Sequence, residues 1–129
     1  MNLNKVHLIG RLGGDPVMRT TQSGTKVANI SIATQDFIKN KNESETTWHR
    51  VVIWGKSAEF CGQYLKKGDA VYIDGTMKVR KFETSEGKMN YIHEIHSLKV
   101  QRLGYRRDKN QNEQAEHSIN ELDEQHLQS

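Results

Sequence analysis

Between residues 46 and 56 the chain alternates with a period of two. That places Trp48, Arg50, Val52 and Trp54 on one side of a strand and Thr47, His49, Val51 and Ile53 on the other. The second side can line a core. The same alternation recurs before and after this stretch. Residues 5–12 read as a first strand with Val6, Leu8, Gly10 and Leu12 on one face, residues 17–21 as a short second strand, and residues 26–34 as a third in which Ala28, Ile30 and Ile32 share a face. Residues 69–82 put Val71, Ile73, Gly75, Met77 and Val79 on one side and Tyr72, Asp74, Thr76, Lys78, Arg80 and Phe82 on the other. A last strand, residues 89–103, groups Ile92, Leu98 and Val100.

The period lengthens only once. Across residues 57–67, Ala58, Cys61 and Leu65 recur at helical spacing, which predicts a short helix with Ser57 as its N-cap, Lys66 and Lys67 in its last turn and Gly68 as its left-handed stop. Gly13-Gly14-Asp15-Pro16, with the only proline, marks a built corner, and Gln22-Ser23-Gly24-Thr25 and residues 83–88 read as turns. Residues 35–45 are polar enough to predict a mobile loop. Strands with a lone helix between the middle and later ones predict an all-β OB-fold, a five-stranded Greek-key barrel; the competing β-sandwich does not account for the helix placed there. The expected domain is residues 1–104. Residues 105–129, nearly free of large apolar side chains, are expected to be a disordered, mildly acidic tail.

Charge sharpens this division. Lys and Arg outnumber Asp and Glu by 18 to 10 through Arg107, whereas one Lys faces six acids from Asp108 onward. Cys61 is the only cysteine, so an intrachain disulfide and a Cys-based zinc site are excluded and a buried apolar role is expected. No apolar run reaches the roughly 18 to 20 residues of a membrane span, and the first residues do not form a signal peptide, so no membrane partner and a cytoplasmic, nucleoid-associated location are expected. His93 and His96, three apart on a strand, point to opposite faces and cannot share a metal. Phosphate-loop, dinucleotide and nucleophile-elbow motifs are absent, and Asp15, Asp36, Asp69 and Asp74 fall in separate segments. We therefore expect no enzyme, no cofactor and no metal.

Binding fits better. Two Trp on one strand are by themselves ordinary packing residues, but the chain repeats an aromatic-plus-cation grammar: Trp48, Arg50 and Trp54 followed by Lys56; Lys78, Arg80 and Phe82; Phe37 near Lys39 and Lys41. Aromatic faces stack on bases and cations track phosphates, a chemistry suited to single-stranded nucleic acid with weak sequence preference. Local sequence leaves Phe37 free either to join this set or to fold back onto the core.

Asn4-Lys5-Val6, Gly10-Arg11-Leu12-Gly13-Gly14-Asp15-Pro16, Val27-Ala28-Asn29-Ile30, Trp48-His49-Arg50-Val51-Val52, Tyr64-Leu65-Lys66-Lys67-Gly68 and Val71-Tyr72-Ile73-Asp74-Gly75 resemble the bacterial single-stranded DNA-binding protein family, in register from about residue 3 to 103. The resemblance implies a homotetrameric OB-fold that binds and protects single-stranded DNA in replication, recombination and repair. It assigns base stacking to Phe37, Trp48, Trp54 and Phe82, with Phe37 and Phe82 where Trp is frequent and Trp54 where Phe is frequent, and it places His49 at a subunit interface. A primosome accessory protein of similar fold and an RNA-binding OB protein are the alternatives. Typical members end in a run of Asp with an apolar tip such as Ile-Pro-Phe. Here Glu121-Leu122-Asp123-Glu124-Gln125-His126-Leu127-Gln128-Ser129 lacks proline and a terminal aromatic. That departure argues against recruitment of replication and repair proteins through the tail, and for an accessory or mobile-element copy.

Overall fold

The computed structural model describes residues 1–104; the disorder and acidity expected of residues 105–129 lie outside the described residues. In chain order the elements are β1 (Val6–Leu12), β2 (Val17–Thr20), β3 (Lys26–Ile38), β4 (Glu43–Trp54), α1 (Lys56–Tyr64), β5 (Ala70–Glu83) and β6 (Met89–Leu103). The sheet runs β1-β5-β6-β4-β3-β2, and it closes because the end of β1 leaves β5 and pairs with β3 at Arg11↔Ala33 and Leu12↔Ile32. Five strands thus form a barrel, with β2 appended to β3. All pairs are antiparallel except β4 with β6, which meet at Val51↔Ile95 and Val52↔His96. This is the predicted barrel with one helix.

Inward alternation supplies the core. Ala28, Ile30, Ile32, Val51, Ile53, Val71, Ile73 and Ile95 are buried together, and α1 adds Ala58, Cys61 and, just past its end, Leu65. Each fully buried aliphatic side chain contributes about 1.5–3 kcal/mol of transfer free energy. Cys61 is buried as expected, and desolvation pushes its thiol from 9.0 up to about 12. The Gly13-Gly14-Asp15-Pro16 corner is pinned to the segment after α1: Asp15 Oδ1 accepts from the Lys67 backbone N–H at 2.9 Å, and Arg11 donates to the Gly68 carbonyl at 2.9 Å.

Three expectations are corrected. Residues 35–45 are not a loop: β3 and β4 stay paired to Ile38↔Glu43, leaving only residues 39–42 to turn, with Asn42 in the left-handed region at φ 52°. Ladder hydrogen bonds join backbones whatever the side chains, so polar residues extend a ribbon begun in the core.

The helix begins at Lys56 with Gly55, not Ser57, at its N-cap and without a side-chain cap; it ends at Tyr64 with Leu65 already extended. Lys66, Lys67 and Gly68 lie beyond it. Asp69 Oδ2 and Asp15 Oδ1 accept the N–H groups of Lys66 and Lys67 at 2.9 Å each, taking donors that another helical turn would have used, and Gly68 donates to the Leu12 carbonyl at 2.8 Å.

The third correction concerns β6. Asp74 pairs with Lys99 but Gly75 with Ser97, so Leu98 is an extra residue and the faces exchange across it. Ile95 joins the core with Val100, while Leu98 is exposed and Ile92 lies on the outer face. Gly75 admits the bulge: a Cβ there would stand 2.4 Å from the His96 carbonyl oxygen.

Candidate nucleic-acid interface

The outer face of the barrel is built by the same alternation that builds the core. On β4, Val51 and Ile53 are fully buried, while Trp48 is 60% exposed and Trp54 39%, with Arg50 between them in solvent. Val52 shares their side yet is buried, because it lies in the seam flanked by Asn29 of β3 and His96 of β6. Phe37 pairs with Ser44, a residue on the Trp48 side of β4, and is 61% exposed. The open alternative for Phe37 is therefore decided: it stands on the outer face, not in the core. On β5, Lys78, Arg80 and Phe82 alternate outward, Phe82 with 39% of its surface exposed.

Two contacts hold the indoles. Trp48 packs against the β1–β2 corner so closely that a Cβ at Gly13 would lie 2.3 Å from its ring. The ring walls a cleft of about 340 Å³ that Val17, Asn29 and Ser31 also line. Gly13 itself is held by its N–H, which donates to the Ser31 carbonyl at 2.9 Å. Trp54 meets His96 of β6 with ring centroids 4.6 Å apart and planes at 70°. His96 Nε2 donates to Glu94 Oε1 at 2.9 Å, and the same oxygen lies 3.7 Å from Arg80 Nε on β5. Trp54 and Arg80 thus belong to one surface joined through β6.

The remaining predicted residues are scattered around this surface. Lys39 and Lys41 sit in the turn of the β3–β4 ribbon. Lys56 opens α1 and borders a groove with Ser57, Phe60 and Val100 rather than the Trp48 cleft. His49 is half-buried on the inner side and pairs with Thr34 Oγ1 at 2.9 Å. Among the described residues no group of three His, Cys, Asp or Glu side chains is arranged to hold a metal, and no helix is long and apolar enough to cross a membrane.

Sequence reasoning gave Gly13, Glu94 and His96 no role in binding. Gly13 reads as a turn residue. Glu94 and His96 have the parity of Val100, and only the bulge at Leu98 turns them outward.

Comparison with known proteins agrees with the barrel. The model of the single-strand binding protein family matches residues 3–103. The chain belongs to this family. Among its relatives, single-stranded DNA-binding protein 1 of Xylella fastidiosa (strain 9a5c) is 42% identical over 120 residues, 90% of this chain and 88% of that protein. Single-stranded DNA-binding protein 1 of Chlorobaculum tepidum is 45% identical over 106 residues, 79% of this chain and 65% of that one. The solved Plasmodium falciparum SSB complex with ssDNA superposes with a TM-score of 0.73 at 35% identity, over 80% of this chain and 97% of that chain. Membership in the single-strand binding family and the barrel therefore rest on sequence and structure alike.

Proposed function

We propose that this family member binds and protects single-stranded DNA without sequence preference, by stacking bases on Phe37, Trp48, Trp54 and Phe82 and tracking phosphates with Arg50, Lys78 and Arg80, aided by Lys39, Lys41 and Lys56. The observation that carries the reading is that strand register brings Phe37, Trp48, Arg50 and Trp54 onto one exposed face, which the Arg80–Glu94–His96–Trp54 contacts join to β5. Stacking contributes about 1–3 kcal/mol per base whatever the base, and cations add a salt-dependent share. Relatives named for single-stranded DNA binding, and a structural neighbour solved with ssDNA, support the same ligand. The protein acts by binding, not catalysis, in replication, recombination and repair in the cytoplasm.

Self-association into a homotetramer is part of the proposal. On the outer side of β1 and β5, Ile9 is exposed beside His7 and Tyr72, a surface suited to being covered by another copy. The family resemblance places His49 of β4 at a subunit interface as well, so His49→Tyr should shift the assembly toward smaller species in sedimentation at low protein concentration; a wild-type monomer at micromolar concentration would overturn this part. For the ligand, competition between an oligothymidylate, single-stranded RNA and duplex DNA decides. Preference for the first is expected, and equal affinity for all three would overturn the reading.

A further inference from the structure

We propose that Glu94 and His96 form a positioning pair that braces the Trp54 platform from the neighbouring strand, a role that rests on the binding face proposed above. Three observations converge on it. Glu94 is 7% exposed on the outer face, where an acid amid cations serves neither base stacking nor phosphate tracking. A buried carboxylate needs partners to offset its desolvation, and those Glu94 has are two side chains of the binding face: the His96 imidazole at 2.9 Å and the Arg80 guanidinium at 3.7 Å. His96, fixed at one nitrogen by this bond, meets Trp54 at 4.6 Å in the steeply inclined arrangement that aromatic pairs favour.

The fold explains why this bracing comes from β6. Val52 and His96 are partners across the parallel β4–β6 seam, and Trp54 lies two residues further along the same side of β4. The bulge at Leu98 turns Glu94 and His96 outward to meet it. Because an ionised carboxylate only accepts, His96 must carry its proton on Nε2, so the bond fixes the tautomer as well as the ring plane. An indole held in one orientation loses less rotamer freedom when a base stacks on it.

The experiment uses the full chain with Trp48→Phe, which leaves Trp54 as the only tryptophan. In that background His96→Ala should lower Trp54 fluorescence anisotropy, increase its quenching by iodide and weaken binding of an oligothymidylate by about two- to tenfold, in line with the coupling of an aromatic pair. Glu94→Ala should reproduce the change in anisotropy, and the double variant should add nothing to it. Glu94→Gln, whose amide oxygen still accepts from His96, should restore the anisotropy and keeps the test readable should Glu94→Ala fail to fold. Unchanged anisotropy and affinity in His96→Ala, or additive effects in the double variant, would overturn the proposal. Trp54→Ala separates this outcome from failure of the binding reading: if it leaves affinity intact, Trp54 is no platform and the reading falls, whereas a loss there without one in His96→Ala removes only the bracing.

Discussion

The closed body of the barrel and the two ribbons that project from it obey the same alternation but answer to different forces. In the body, between Ala28 and Ile32 on β3 and between Val51 and Ile53 on β4, inward side chains are buried against β5, β6 and α1. Beyond Thr34 on β3 and Met77 on β5 the strands stay paired while their side chains face solvent. Burial stabilises the first region. Backbone pairing carries most of the second, so most of its side chains are free to be chosen for a ligand, Glu94 excepted. Substitutions should therefore separate by face: inward changes in the body cost stability, whereas changes in the ribbons or on the outer face of β4 cost binding.

The largest effect should come from the body. Ile73→Ala removes a fully buried side chain among Leu12, Val71 and Ile95 and should destabilise the fold by about 2–5 kcal/mol in chemical denaturation. A loss under 1 kcal/mol would mean that the body is not the stabilising region. On the outer face, Trp54→Ala should weaken oligothymidylate binding by about 1–3 kcal/mol and leave the thermal transition in place. Loss of that transition with affinity unchanged would instead make Trp54 a core residue.

Cys61 tests the body by pH. Its folded thiol titrates near 12 and its unfolded thiol near 9.0, so both states keep the proton below pH 9 and stability there is independent of this group. Between those values the unfolded chain releases a proton that the folded one retains. Stability should thus fall with rising pH by about 1.4 kcal/mol per unit above pH 9. Denaturation of wild type and Cys61→Ala from pH 8 to 11 isolates the term, and parallel curves would show that the thiol is not shielded.

Two smaller effects probe the outer face. Gly13→Ala should push the Trp48 ring from its seat, seen as increased iodide quenching in a Trp54→Phe background, where Trp48 is the only tryptophan. Unchanged quenching would mean that the ring has room to spare. Arg50→Gln should reduce the slope of log affinity against log salt by about 0.7, the share of a single phosphate contact on a single strand. An unaltered slope would remove Arg50 from the phosphate track.

What the sequence determined by itself was which side chains can share a face within one segment. The period of two along β4 separates Val51 and Ile53 from Trp48, Arg50 and Trp54, and the longer period of α1 selects Ala58 and Cys61; both follow from local backbone geometry and hold in the structure. Trp48, Arg50 and Trp54 on β4 and Lys78, Arg80 and Phe82 on β5 were legible for the same reason, whereas the face of Phe37 was set by its pairing with Ser44. Tertiary structure decided whatever depended on a second segment. Residues 35–38 and 43–45, mostly polar, are strands because each gives the other its backbone partners. Asp15 and Asp69 end the helix early by taking N–H groups from Lys67 and Lys66. One extra residue at Leu98, admitted by a glycine on the neighbouring strand, moves Ile95 into the core and turns Glu94 and His96 toward Trp54. A period read along one strand cannot register that insertion, because a bulge is a mismatch between two strands.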